Sequence, residues 1–497
     1  MEQVLESLSH FLPEVALTAG MLLVILVDAT GISARNALTR WLTLLTLGAG
    51  LWLCFREPGY SGSLFGGMAA VDPMSTFFKV LLLAAGLLVV LTLGFRTARE
   101  LQGLGHGEFY TLLLALTLSN LLLVGANDIA MIYLALEMVS VTSYVMVGYM
   151  KGDRMSNEAS LKYVLFGAVS TGAMVYGLSL LYGLTGTTSL PAIRDFLALG
   201  LSKDNRLSLY IIALFVFAGF GFKTAAAPFH FWCPDVYQGA PTPVTAYLSV
   251  APKAAGFAVM TRFFFSGLSV PGSGAWDLVG IIEWGPVLML ISVLTMTVGN
   301  VAALTQTNMK RLLAYSSIAH AGYIMMGVVA LSESGLLGVM LYLLVYLVMN
   351  LGAFLVVTLI HREDGSFDLR DYPGLMRRSP LLTVSMLIFM LSLIGIPPFV
   401  GFLGKLYVFA AIIEKGPSFY WYAVVGAVNA AIAAFYYARV MRAMVIDPGG
   451  DERGPLALPL ADRVAVVGFA LANFLPLVWW GRLDEWARGS LVLYAGL

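Results

Sequence analysis

The chain is a succession of apolar stretches, each close to the ~20 residues that a helix needs to cross the ~30 Å hydrocarbon core of a bilayer. They fall near 11–28, 37–55, 74–95, 108–126, 128–150, 158–183, 207–229, 243–266, 277–300, 310–330, 336–360, 381–413, 420–443 and 462–480. In hydrocarbon every backbone N–H and C=O must be satisfied within the segment or by its neighbours, so such stretches fold as helices. The expected fold is an all-α polytopic membrane protein with about fourteen transmembrane helices. Composition agrees, since only 12% of the 497 residues are charged, about half the ~25% of soluble domains. Cys54 and Cys233 form no C-x-x-C pair, and no metal site or disulfide is expected from them. The opening MEQVLESLSHFLPE has neither a basic n-region nor a small-residue cleavage site, so the first span is expected to be retained.

Basic residues set the orientation. Arg35, Arg40, Arg96, Arg99, Lys151, Arg154, Lys310, Arg311, Arg362, Arg370, Arg377, Arg378, Arg442, Arg453 and Arg463 fall after odd-numbered spans. Only Arg56, Arg194, Lys203, Arg206, Lys415, Arg482 and Arg488 fall at the termini or after even-numbered spans. Both termini are therefore expected on the non-cytoplasmic side.

The remaining basic residues lie inside spans. Lys79, Arg262 and Arg439 are near helix ends and are expected to snorkel. Lys162 is about one turn in, and Lys223, Lys253 and Lys405 are deep. A lysine at mid-membrane costs about 2.5–3.5 kcal/mol on insertion scales. Two of them lie in the stretch from Phe215 to Met260, near Pro228 and beside Pro252, whose rings leave backbone carbonyls unpaired. Glu137 is the one clearly mid-span carboxylate and His320 the one mid-span histidine; His230 sits beside Pro228 and Trp232. Each has a plainer alternative: Glu137 bonded to a neighbouring hydroxyl, Lys223 and Lys405 capping free carbonyls, Lys162 snorkelling. His320 could be a core hydrogen-bonding residue, His230 an ordering residue of the break, and Asp235 a cap or turn.

Gly219-Phe220-Gly221-Phe222-Lys223 in span 7 and Gly401-Phe402-Leu403-Gly404-Lys405 in span 12 share Gly-Phe-x-x-Lys beside a proline break, 182 residues apart. The same offset carries Glu137 to the neighbour of His320. Five spans is an odd number, so the second copy is expected to be inverted, with broken helices 7 and 12, an architecture of transporters. The organisation expected is a single membrane domain over 1–497. It comprises three N-terminal helices (1–100), a first repeat of spans 4–8 (108–266), an inverted second repeat of spans 9–13 (277–444) and a C-terminal span (462–480).

No Walker A or haem-attachment motif is present. Gly103-x-Gly105-x-Gly107 lies in a short loop between spans and reads as a turn. Buried lysine loses proton affinity by desolvation and regains it from a nearby carboxylate. The expected chemistry is proton relay, with Glu137 modulating Lys223, Lys253 and His320 bridging, and Lys405 leading to the outer surface.

These residues resemble the antiporter-like subunits of respiratory complex I and of Mrp-type cation/proton antiporters. The blocks that carry the likeness are EASLKYVLFGAVSTGAMVYGLSLLYGLTG, PFHFWCPDVYQGAPTPVTAYLSVAPKAA, GNVAALTQTNMKRLLAYSSIAHAGY and LSLIGIPPFVGFLGKLYVF. Among these siblings it looks closest to the N type (also called subunit 2 or B). The ASLKY start of span 6, the PDVYQGAPTPVTA turn, lysine at 405 and an end at span 14 without a long lateral helix all point there. The resemblance implies a proton-pumping membrane-arm subunit in a bacterial inner membrane, with Glu137, Lys162, Lys223, Lys253 and Lys405 at the family's charged positions. It adds Glu108 in GEFY as a further span-4 glutamate. It also implies that FMN, iron–sulfur clusters and quinone belong to partner subunits, with no cofactor in this chain and no nucleic-acid partner. An Mrp-type sodium/proton antiporter subunit, or a ferredoxin-dependent relative, is the alternative.

Overall fold

The computed structural model describes residues 2–56, 60–94, 97–199, 206–271, 276–278, 284–449 and 454–493. Arg96, Lys203, Glu283 and Arg453 lie outside the described residues, as does the side chain of Arg206. The helices run α1 (Glu2–Ser9), α2 (Leu12–Ala29), α3 (Arg35–Leu53), α4 (Pro73–Thr92), α5 (His106–Gly125), α6 (Ile129–Val147) and α7 (Arg154–Thr185). They continue with α8 (Leu190–Ala198), α9 (Arg206–Thr224), α10 (Trp232–Gly239), α11 (Thr242–Arg262), α12 (Trp284–Ala303), α13 (Met309–Ala330) and α14 (Glu333–Asp364). Last come α15 (Leu375–Arg378), α16 (Pro380–Ile394), α17 (Val400–Glu414), α18 (Tyr420–Val445), α19 (Leu460–Ala472), α20 (Leu475–Val478) and α21 (Trp480–Gly489). Each of the apolar stretches read from the sequence overlaps at least one of them. Among the described residues, ten helices are long and apolar enough to cross a membrane. The sequence did not indicate the two short antiparallel hairpins that link helices, β1 (Gly62–Leu64) with β2 (Ala69–Val71) and β3 (Ser269–Pro271) with β4 (Trp276–Leu278).

Helix starts are set by side-chain caps that occupy the orphan N–H groups of the first turn. Asp72 caps α4 through the Ser75 N–H, Asp128 caps α6, Asp153 caps α7, Asn308 caps α13 and Ser332 caps α14. Apolarity does not set depth where the surrounding solvent is hydrocarbon, since lipid-facing helices are apolar too. Every residue of α11 is buried, and α13 and α14 are buried along nearly their whole length. By contrast α2, α7 and α18 each leave a broad face exposed.

Several features recur five spans apart. Both α7 and α14 have 32 residues. Asp128, at the start of α6, bridges Ser189 in the loop after α7, and Asn308, at the start of α13, bridges Asp368 in the loop after α14. The Ile129 N–H donates to the Thr188 carbonyl at 2.9 Å, and the Met309 N–H to the Phe367 carbonyl at 2.8 Å.

The seventh and twelfth stretches are both broken, as their prolines require. The seventh is helical only as far as Thr224, where α9 ends, and α10 follows beyond the break. Its break is closed by the Ala227 N–H donating to Thr295 on α12 at 2.9 Å and by the Trp232 indole N–H donating to the Phe222 carbonyl at 3.1 Å. The twelfth divides into α16 and α17, with Gly395 ending α16 in the left-handed region at φ +87°. The two halves touch where Gly401 faces the Ser392 carbonyl, and a Cβ at 401 would lie 1.9 Å from that oxygen. Backbone cannot yield there as a side chain would. Gly401→Ala is expected to cost about 1–3 kcal/mol, seen as a lower melting temperature of the purified protein. An unchanged melting temperature would show that the two halves do not need this contact.

Candidate functional site

The site begins at α6, where Glu137 sits mid-helix and half-buried, with no ion pair among the described residues. Its charge acts through space on Lys223, which ends α9. The Lys223 ammonium donates instead to Ser140, one turn beyond Glu137 on α6, at 3.1 Å. Gly256 of α11 packs on the Lys223 stem, with room for only a hydrogen: an added Cβ would lie 3.0 Å from Lys223 Cγ. This close crossing brings α9 against the helix that carries Lys253, one turn away.

Lys253 follows Pro252 within α11 and is buried. Its ammonium donates to Ser317 on α13 at 2.5 Å and lies 5.6 Å from the ring centre of Tyr237. The next residue, Ser316, shares a 2.5 Å hydroxyl bond with Tyr437 on α18. The Tyr437 hydroxyl lies 3.3 Å from His320 Nε2, while Tyr342 on α14 lies 2.9 Å from Nδ1. His320 is close enough to both Lys253 and Lys405 for their charges to act on it. Lys405, on α17, donates to the carbonyls of Leu393 and Ile394 at 3.1 and 2.6 Å. Those are carbonyls left free where α16 ends, at the negative end of its dipole.

The structure therefore sets Glu137, Lys223, Lys253, His320 and Lys405 in a row on neighbouring helices with no ion pair between them among the described residues; hydroxyls bind Lys223, Lys253 and His320, whereas Lys405 is held by backbone carbonyls. It does not bring the other predicted residues into that row. Lys162 is partly exposed and neither deep nor freely snorkelling: it pairs with Glu158 and with Asp235, each at 2.8 Å. Glu108 is exposed in the first turn of α5, where the sequence alone placed it. His230 is buried in the α9–α10 break, its ring tilted against that of Phe231, with Nδ1 lacking a partner among the described residues.

Three expectations are corrected. Lys79 does not snorkel: it is buried and pairs with buried Glu14 at 2.7 Å. Arg262 is fully buried, its two terminal nitrogens donating to the Asp72 carboxylate at 2.7 and 2.9 Å. Arg439 turns inward onto the carbonyls that end α12, donating to Leu304 at 2.6 Å. In each case a paired or carbonyl-bound cation replaces a solvated one, which removes the cost of leaving the span's interior charge unmatched. Asp235 is more than a cap, since it also accepts from Arg311 at 2.5 Å.

Sequence reading missed a second buried cluster. Lys310, assigned to a loop, is buried, donates to the Ala240 carbonyl at 2.6 Å and lies 3.5 Å from Glu100. Glu100 in turn accepts from the Thr242 N–H at 2.7 Å, holding the first turn of α11. The available signal was Pro241 and Pro243 beside an uncapped helix start, which calls for an anionic partner from elsewhere in the chain.

A family model described as NADH:quinone oxidoreductase/Mrp antiporter, TM, matches residues 126–431. NADH-quinone oxidoreductase subunit N of Anaeromyxobacter sp. (strain Fw109-5) is 46% identical over 100% of this chain and 99% of its own length. NAD(P)H-quinone oxidoreductase subunit 2 of Synechococcus sp. (strain JA-3-3Ab) is 44% identical over 87% of this chain and 80% of its own. A chain of respiratory complex I from Thermus thermophilus with bound aureothin superposes with a TM-score of 0.78 at 31% identity, covering 96% of this chain and 100% of that one. A chain of the Mrp complex from Dietzia sp. DQ12-45-1b shares the fold, with a TM-score of 0.81 at 17% identity over 97% of both. With buried lysines at the two breaks and in the central helix between them, and with relatives matching along its whole length, this chain belongs to the NADH:quinone oxidoreductase/Mrp antiporter transmembrane family.

Proposed function

We propose that the chain is a proton-translocating membrane-arm subunit of an NADH-quinone oxidoreductase, working with other membrane-arm subunits in a bacterial inner membrane. The observation that carries this is the row from Glu137 through Lys223, Lys253 and His320 to Lys405. Ionisable side chains inside a membrane are costly and mark ion or proton routes. Ser140, Ser316, Ser317, Tyr342 and Tyr437 supply hydroxyls that both donate and accept along the row. Among the described residues the buried Asn350 Oδ1 and His230 Nδ1 have no hydrogen-bond partner, and polar atoms of that kind are places for bound water.

In this reading Glu137 sets the charge at Lys223, Lys253 and His320 bridge, and Lys405 is the far station. Lys162 answers to Asp235 and Arg311 at the α7–α10–α13 junction and tunes entry. Glu108 and His230 stand at the margin of the route. The chain itself carries no redox step; NADH oxidation, with FMN and iron–sulfur clusters, and quinone reduction belong to partners. Fourteen crossings with both termini on the non-cytoplasmic side, and spans 4–8 and 9–13 as inverted repeats, complete the proposal. The twin 32-residue helices and the paired bridges at Asp128–Ser189 and Asn308–Asp368 support the repeat.

The test is transport by the assembled complex in liposomes. NADH oxidation by quinone is expected to drive proton movement that needs no sodium. Proton exchange driven by a sodium gradient, with no reductant present, would instead assign the chain to an Mrp-type antiporter.

A further inference from the structure

Lys405 has a partner that neither its own helix nor the break provides. Its ammonium lies 4.8 Å from the ring centre of Tyr323 on α13. The quadrupole of an aromatic face attracts a cation, and more strongly once water is excluded. Both residues are buried.

The ring is held from behind. Asn300 on α12 donates from Nδ2 to the Tyr323 hydroxyl at 3.0 Å. The same amide nitrogen also faces the Asn429 backbone carbonyl at 3.1 Å and Asn429 Oδ1 at 3.3 Å. A backbone carbonyl can only accept, so the Asn300 amide cannot be reversed without placing two oxygens face to face. Its Oδ1 then accepts from the Tyr436 hydroxyl at 3.1 Å. Asn429 is fixed by the same logic, since its Nδ2 donates to the Val425 carbonyl at 3.0 Å and to Thr297 at 3.2 Å. Two amides on α12 and α18, anchored on backbone carbonyls, thus fix where the Tyr323 hydroxyl sits and with it the long axis of the ring.

We infer that Tyr323, pinned by the Asn300–Asn429 amide pair, is the aromatic platform that steadies the ammonium of Lys405, and is a positioning residue for proton transfer at that site. The inference rests on the role proposed above for Lys405. The groups facing Lys405 are few. His320 and Tyr323 come from α13, and Tyr342 from α14 lies against Gly404 one residue away. The α16 end offers the carbonyls of Leu393 and Ile394, and α18 meets α17 through Gly426 under Phe409. Asp484 on α21 is bound to Tyr407 instead. Among the described residues no carboxylate pairs with Lys405, so the ring and the carbonyls are what the cation has.

The experiment replaces the electrostatics of the ring at constant shape. Tyr323→Phe keeps the platform, and pentafluorophenylalanine at position 323 keeps the volume while inverting the quadrupole. Both are measured in the assembled complex in liposomes, as proton pumping per NADH oxidised across pH. Tyr323→Phe is expected to keep the wild-type profile within about threefold in proton affinity. The fluorinated ring is expected to move the alkaline limb down by about one pH unit, a tenfold change or about 1.4 kcal/mol. Asn300→Leu removes the same hydrogen bond as Tyr323→Phe and is expected to match it. An alkaline limb that stays in place with the fluorinated ring, or moves as far with Tyr323→Phe, overturns the inference. Lys405→Ala is measured beside them: wild-type pumping in that variant would refute the role of Lys405 itself, whatever the ring does.

Discussion

Lys223→Ala is expected to abolish proton pumping while the complex still assembles and still oxidises NADH. The expectation follows from position, since Lys223 feels the Glu137 charge and packs against Gly256 on the helix of Lys253. Removing a proton-transfer group at such a point costs on the order of 10²-fold or more in rate. Assembly survives because the ammonium makes one bond, to the Ser140 hydroxyl at 3.1 Å, and no ion pair is orphaned. The deletion removes buried methylenes, at about 2–5 kcal/mol for a large-to-small change, from a helix packed on α7 and α11 along its length. Glu137→Gln is expected to reduce pumping strongly and Glu137→Asp mildly, because the aspartate keeps the charge. Pumping at the wild-type stoichiometry in Lys223→Ala, measured with reconstituted complex, would remove Lys223 from the route.

Arg262→Leu has the opposite signature, losing the protein rather than the transport. The Arg262 guanidinium and the Asp72 carboxylate are both fully buried and joined by two bonds, at 2.7 and 2.9 Å. Removing one partner leaves an unmatched charge in the interior, at about 3–5 kcal/mol. Asp72 also accepts from the Ser75 N–H at 2.7 Å, so its carboxylate ties the start of α4 to the end of α11. The expected result is a large fall in the amount of complex in membranes and in its melting temperature. Asp72→Ser combined with Arg262→Met keeps a cap and buries no charge, and is expected to recover much of the loss. Normal abundance of the Arg262→Leu single variant would show that the pair contributes little.

The helices were legible because apolar runs of membrane length have few other solutions, and the two breaks because proline removes a ladder bond. The depth of Glu137, Lys223, Lys253, His320 and Lys405 was legible for the same reason, being distance along a helix from its ends. Partners were not. Lys79 and Arg262 looked free to snorkel because position along a helix says nothing about Glu14 or Asp72, which lie far away in sequence. The hydroxyls of Tyr323, Tyr342 and Tyr437 carried no signal, because tyrosine in an apolar helix gives no sign of what its oxygen meets. The hairpins joining helices carry three-residue strands, too short for any alternation to show.

The order of proline and lysine differs between the two breaks: Lys223 precedes its break, whereas Lys405 follows its own. Side chains on a helix lean toward its N-terminus, so Lys405 leans back onto the joint and Lys223 leans away from its joint. The consequence is mechanical. Flexing at Gly395–Phe399 would swing the Leu393 and Ile394 oxygens off the very ammonium they hold, so that joint can act as a latch on its own cation. Flexing between α9 and α10 would move neither end of the Lys223–Ser140 bond, which ties that cation to α6, a helix with an exposed outer flank.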